Sequence, residues 1–343
     1  MSNRIGLAVV GLGMAAKPHA LALQDLTDQI DVRGCYARSA EARAAFCQTY
    51  GFPQAAHVEV LAHDPTVDAL LLITPPNARL RLISLFAGQQ KHILTEKPLE
   101  RTSGAAIEIV DLCAASDVSL GVVFQHRFRA ASEALTKLLG EGGLGPIRVV
   151  RADVPWWRDQ SYYDEPGRGS YARDGGGVLI SQAIHTLDLM LSMTGPASAV
   201  QAICATTPFH AMEAEDFAAG AIEFESGAVG SIFASSASFP GDAESLAFDC
   251  DNGSALLKSG VLTVHWRDGR ADTFGSEATT GGGADPMAFP YDWHKSLIAD
   301  FATAIKTGRP PRVTGSEALN VHRLIAAIEA SSRSGRKTQV SKG

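Results

Sequence analysis

The feature that most restricts what this chain can fold into is Gly11-x-Gly13-x-x-Ala16. It comes directly after the apolar run Ile5–Val10 and directly before the helix-forming stretch 17–26. A continuous apolar run without alternation reads as a strand buried on both faces. Gly11 permits a tight turn, Gly13 lets backbone approach a pyrophosphate, and Ala16 lets helix and strand pack closely. The first N–H groups and the positive helix end then face the phosphates. Gly11, Gly13, Met14, Ala15 and Ala16 are therefore the candidate cofactor-binding turn. The competing reading is a tight turn with no ligand. His19, in the first helical turn, reads as a local packing or capping residue.

The rhythm after the turn supports the first reading. Strands are expected at 32–36, 67–73, 92–95 and 118–124, and helices at 40–50, 79–88 and 103–115. Such β-α-β-α alternation predicts a doubly wound parallel sheet over residues 1–125. The pattern changes near Gln125. Beyond it come a helix at 131–139, a strand at 147–154, a polar aromatic loop at 155–176 and a helix at about 178–193. Strand-like text then runs from 200 to 273, and helices return at 292–306 and 316–333. Residues 126–343 are thus expected to form an α+β domain with an open, mainly antiparallel sheet. The one low-complexity patch, Thr279–Ala284, reads as a mobile loop.

Composition closes off other classes. Net charge is −7 without a basic run, which argues against nucleic acid as a partner. No stretch reaches the ~20 apolar residues of a membrane span, and the start lacks an export signal. Five scattered cysteines fit reduced thiols in a cytoplasm, and ten histidines without ligand spacing indicate no metal.

Several positions carry chemistry. The acidic residue that usually reads the ribose of NAD lies ~20 residues past the glycines. That place falls to Ala37, flanked by Arg38 and Ser39. Without a carboxylate to repel a 2′-phosphate, and with Arg38 to pair with it, NADP is favoured over NAD. Lys97, in Thr95-Glu96-Lys97-Pro98, lies at the C-terminal end of an expected parallel strand, where ligands bind in such sheets. Gly175-Gly176-Gly177 opens the helix that carries Ser181 and His185, four residues apart and so on one α-helical face. Asp188 follows one turn later, in position to orient His185. A histidine suits proton exchange between hydroxyl and carbonyl near neutral pH. Trp157 and Arg158, in the aromatic loop, suit sugar stacking and recognition of hydroxyl or carboxylate groups. Arg127, Tyr291 and His294 are further substrate-binding candidates.

Together these residues resemble the glucose–fructose oxidoreductase/inositol dehydrogenase (Gfo/Idh/MocA) family. The resemblance rests on the glycine turn, Thr74-Pro75-Pro76-Asn77, Glu96-Lys97-Pro98, the glycine–His185–Asp188 segment and the closing stretch 316–335. It implies a Rossmann domain followed by an α/β domain with an open antiparallel sheet, and a homodimer or homotetramer. It also implies that Lys97 and His185 flank the reacting carbon, with Thr74, Pro75, Asn77 and Glu96 near the cofactor. The expected activity is NAD(P)-dependent hydride transfer to or from a hydroxyl carbon of a sugar, sugar acid or cyclitol. Many members carry Asp or Asn where this chain has Ser181, which shifts the proton chemistry onto Lys97 and His185. Two other readings stay open: a glycoside hydrolase using transient oxidation by NAD, and a non-catalytic sensor of cofactor and sugar.

Overall fold

A computed structural model describes residues 4–278 and 289–342. The glycine-rich patch Thr279–Ala284 lies outside them. The chain divides into two compact units, each described here by itself. The first holds residues up to 100, 104–125 and 291–318; the second holds 101–103, 126–290 and 319 onward. Residues 291–318 thus return to the first unit, a crossing that the expected boundary at 125 did not contain.

The first unit follows the β-α rhythm. Its elements are β1 (Ile5–Val10), α1 (Ala16–Asp25), β2 (Ile30–Tyr36), α2 (Ala40–Tyr50), α3 (Val58–His63), β3 (Ala69–Leu72), α4 (Arg79–Ala87), β4 (His92–Glu96), α5 (Ser103–Ala115) and β5 (Leu120–Val123). The five strands are parallel in the order β2-β1-β3-β4-β5. β1, β3 and β5 are buried at every residue, as unbroken apolar runs require. α3 adds a short helix to the predicted rhythm.

The second unit begins with α6 (Ala130–Gly140), β6 (Ile147–Pro155) and α7 (Gln160–Tyr163). The helix expected at 178–193 is not α-helical throughout. Leu179–Ala183 is a π turn, and α8 (Ile184–Thr194) follows it. Next come β7 (Ala197–Ala205), β8 (Phe217–Phe224), β9 (Val229–Ser235), β10 (Ser245–Cys250), β11 (Gly253–Lys258), β12 (Val261–Trp266) and β13 (Ala271–Gly275). α9 (Asp292–Thr307), α10 (Gly315–Ser334) and the short β14 (Thr338–Gln339) complete the chain. The sheet order is β13-β12-β11-β10-β6-β9-β8-β7-β14, antiparallel except where β6 meets β9. Burial alternates along β10 and β11, so one face packs and the other is open. α8, buried around most of its circumference, packs on β6 and β10. On the outer edge of β7, the Ser331 and Ser332 hydroxyls of α10 accept the Ala202 and Cys204 N–H groups at 3.0 and 2.8 Å.

In the first unit α9 packs against α1. Lys295 Nζ and the Tyr291 hydroxyl both donate to Asp25 Oδ2, at 2.8 and 3.1 Å. Gly121 of β5 leaves room for Phe301 of α9, since a Cβ there would lie 2.9 Å from its ring.

Candidate functional site

The glycine turn is built for close approach. Gly11 has φ +99°, and a Cβ on it would lie 2.7 Å from the backbone leaving β3. A Cβ on Gly13 would meet nothing within 4 Å, so that side of the turn is open. Ala16 is buried, and its N–H donates to Gly13 O at 2.9 Å. Neither a side-chain cap at Ala15 nor an acidic residue occupies the first turn of α1. Ala16 N–H is used within the turn and Pro18 carries none, so the positive end of α1 is what this start offers an anion, and Met14 lies exposed beside it. These residues fit the diphosphate of a dinucleotide.

At the end of β2, Arg38 and Ser39 are exposed. Ser39 caps α2, accepting Ala42 N–H at 3.1 Å. Arg43, unremarked in the sequence, donates to Ala37 O at 2.8 Å and lies over the Tyr36 ring.

The turns after β3 and β4 are joined by one side chain that sequence reasoning missed, Arg79. It is 2% exposed. Its Nε and Nη2 donate to Thr74 O at 3.0 and 2.8 Å, Nη2 reaches Lys97 O at 3.3 Å, and Nη1 binds Glu96 O and Pro98 O. Burial lowers its pKa to about 10, against the pull of Glu96 and Glu100, so it stays cationic at neutral pH. The signal was present: Leu82, Ile83 and Phe86 put Arg79 on the buried face of α4. Pro75 and Asn77 are exposed on the same turn, and Thr74 Oγ1 is buried with no protein hydrogen-bond partner. A hydroxyl held in that way suits a ligand contact.

Glu96 is buried and held from two sides. His19 Nε2 donates to Oε1 at 2.8 Å, and the Lys97 N–H donates to Oε2 at 3.1 Å. Burial alone would raise its pKa, but the His19 hydrogen bond and nearby positive charge hold it well below the usual carboxylate range. His19 is therefore a long-range partner of the strand end, not a local cap. His294 of α9 meets the His19 ring edge-on at 4.8 Å, and burial followed by His19 holds its pKa down at about 3. The donor atoms of His19, Glu96 and His294 lie within 4.8 Å of one another, a grouping invisible in the sequence. Its shortest pair is already closed by a hydrogen bond, which makes it a proton-bridged cluster. Lys97 is half-buried, and its peptide bond to Pro98 is cis.

In the second unit Gly175 and Gly177 are required by close approach of protein backbone. A Cβ on Gly175, at φ +88°, would lie 2.5 Å from Arg101 Cα, and one on Gly177 would lie 1.7 Å from Glu215 O. Glu215 accepts three N–H groups in a row: Gly177 at Oε2 (3.1 Å), Val178 at its carbonyl (2.8 Å) and Leu179 at Oε1 (3.0 Å). Ser181 is half-buried within the π turn and His185 is buried in α8. The wider π turn between them means α spacing does not set their common face. The His126 ring stacks on His185 at 4.9 Å. Arg129 binds His126 Nε2 at 2.5 Å and Glu244 Oε1 at 2.6 Å. Asp188 takes both N–H groups of Arg127, at 2.8 and 2.7 Å, which ties that substrate candidate into α8.

Arg158, the other basic candidate, is enclosed at 2% exposure between the Trp156 and Tyr162 rings. Trp157 is half-buried, bonded to Asp159, and meets exposed Phe209 and Phe239 edge-on at 5.9 and 5.3 Å. Tyr291 belongs to the first unit, on the Asp25 contact.

Comparison with known proteins agrees with both units. Residues 5–124 match the family model described as "Oxidoreductase family, NAD-binding Rossmann fold". Residues 132–256 match the GFO/IDH/MocA C-terminal domain. The chain is 28% identical over 197 residues to a myo-inositol 2-dehydrogenase of Thermotoga maritima, covering 56% of this chain and 55% of that one. It is 26% identical over 313 residues to a D-xylose 1-dehydrogenase (NADP(+)) of Haloferax volcanii, covering 86% and 88%. The chain spans about half the length of the first curated relatives it matches, 54% and 55% for two of them. Among solved structures it resembles the WlbA dehydrogenase of Bordetella pertussis in complex with NADH and UDP-GlcNAcA. That match has a TM-score of 0.86 at 25% identity, over 100% of this chain and 99% of that one. No helix among the described residues is long and apolar enough to cross a membrane.

Proposed function

Since the chain belongs to the Gfo/Idh/MocA oxidoreductase family, we propose that it is an NAD(P)-dependent dehydrogenase acting on a hydroxyl carbon of a sugar, sugar acid or cyclitol. The observation that carries this reading is the Glu96-Lys97-Pro98 turn, which leaves the C-terminal end of β4 in the sheet that bears the open glycine turn and is tied by Arg79 to Thr74. Bound at these turns, the nicotinamide supplies the hydride-exchanging carbon. The chain supplies orientation and proton handling. His185 takes the hydroxyl proton as the carbon–hydrogen bond breaks, Lys97 hydrogen-bonds the same oxygen, and Ser181 hydrogen-bonds a neighbouring hydroxyl.

NADP is the preferred form in this proposal. Ala37 offers no charge against a 2′-phosphate, and Arg38 is exposed at the same turn. Five free thiols fit a reducing cytoplasm, and the open face of the nine-stranded sheet fits assembly into a homodimer or homotetramer.

The test is a screen of sugars, sugar acids and inositols with NAD and NADP in parallel, followed by nicotinamide absorbance. Lys97→Ala and His185→Ala are each expected to lower kcat by about 10²–10⁴-fold with cofactor binding retained. Near-normal turnover in both variants would remove the assignment.

A further inference from the structure

Glu215 lies far from the glycine segment in sequence, yet it occupies the start of the helical segment that carries Ser181 and His185. Its two carboxylate oxygens and its own carbonyl take the N–H groups of Gly177, Val178 and Leu179. These are leading donors that a helix start cannot satisfy internally. A carboxylate is an acceptor at both oxygens and complements the positive helix end. Once protonated, one oxygen turns its O–H toward a donor, and one bond and the charge complement are lost.

The surroundings oppose ionisation. Glu215 is buried at 5% exposure, and Gly176 has no side chain to separate it from Glu329 of α10. Burial, reinforced by the Glu329 charge, raises its pKa to about 7 against the N–H contacts of Leu179 and Gly177 to the carboxylate. Other groups facing this cluster are Tyr171 from the preceding loop and Cys204 of β7, both sensing Glu215, and Arg333 of α10, which pairs with Glu329.

We propose that Glu215 is a positioning residue whose ionised carboxylate seats the helix start that sets Ser181 and His185. The proposal deepens the dehydrogenase reading and rests on it only for its kinetic consequence. It implies two trends of opposite direction. As pH falls through about 7 the Glu215 site loses a buried charge, so its own contribution to stability rises, while the Gly177–Ser181 segment loosens.

The test is amide hydrogen exchange of the segment 177–185 from pH 5.5 to 8.5, corrected for intrinsic exchange, on the full chain without substrate. Protection is expected to fall with decreasing pH in the wild type. It should be low and flat in Glu215→Gln, and partly restored in Glu215→Asp. With a substrate from the screen, Glu215→Gln should lower kcat by about 10–100-fold, leave KM little changed, and abolish the limb near pH 7. If Glu215→Gln does not fold, the wild-type exchange profile and Glu215→Asp decide the question. A pH-independent wild-type profile, or identical kcat profiles in wild type and variant, would overturn the proposal. The expected exchange pattern without turnover of any polyol would leave Glu215 standing and remove the dehydrogenase reading.

Discussion

The two units hold their functional turns with opposite charges. In the first, the Arg79 cation gathers the carbonyls of Thr74, Glu96, Lys97 and Pro98 at the ends of two parallel strands. In the second, the Glu215 anion gathers N–H groups at the start of a helix. Each charge sits where the exposed backbone dipoles are complementary to it. The difference lies in titration. Arg79 ionises near 10 and keeps its charge throughout the physiological range, whereas Glu215 changes charge near 7. The Arg79 cluster therefore keeps its charge across the physiological range, and the Glu215 cluster responds to pH within it.

The strongest challenge to this contrast is Arg79→Met. It leaves carbonyls on both turns without their donor, and charge-assisted bonds of this kind in a buried setting predict a loss of about 3–5 kcal/mol in denaturant unfolding. A loss under about 1 kcal/mol would mean that the turns hold themselves. Gly177→Ala probes the other side, because its Cβ would overlap the Glu215 carbonyl at 1.7 Å. The backbone must part, at about 3 kcal/mol, with exchange protection lost first around residues 177–181. An unchanged melting temperature would contradict the close approach.

The pH dependence of stability separates the two charges further. The Glu215 pKa is raised from 4.5 to about 7 in the fold, so the folded chain binds the proton more tightly than the unfolded chain. This contribution is complete below pH 4.5, is lost as pH rises to about 7, and stays absent above it. It amounts to about 3 kcal/mol at most. Denaturant midpoints of wild type and Glu215→Gln across pH 5–8 should differ in slope over that window, and parallel curves would place the titration elsewhere. The smallest effect concerns a local contact, the Ser39 cap of α2. Ser39→Ala removes the α2 cap and should cost about 1 kcal/mol, read as a shift in the denaturant midpoint.

How much of this could be read in the sequence follows from distance along the chain. The glycine turn, the parallel strands and the lysine at the end of β4 are local patterns, and periodicity or residue type marks each of them. Arg79 was also marked, by its place on the apolar face of α4. The glycines at 175–177 announced a close approach, yet nothing nearby named Glu215, which approaches from a separation of 38 residues. Hydrophobic periodicity identifies faces, not which polar group will meet them. The π turn was hidden for a related reason: an i→i+5 turn has the same residues as the α turn it replaces, and its widening comes from tertiary packing. His19 read as a cap because its partner Glu96 lies on another strand. The return of 291–318 to the first unit depends on what the apolar face of α9 meets, and periodicity does not name that partner.

The serine hydroxyls of α10 have a consequence beyond helix packing. An end strand of a long sheet offers a row of unsatisfied donors onto which another chain can zip. Along β7 that row is used up. β14 pairs with Ala199 and Val200, Val340 N–H reaches Ser198 O, and Ser331 and Ser332 cap Ala202 and Cys204. This border of the sheet is closed to strand addition. Strand addition at this border would first have to displace these bonds.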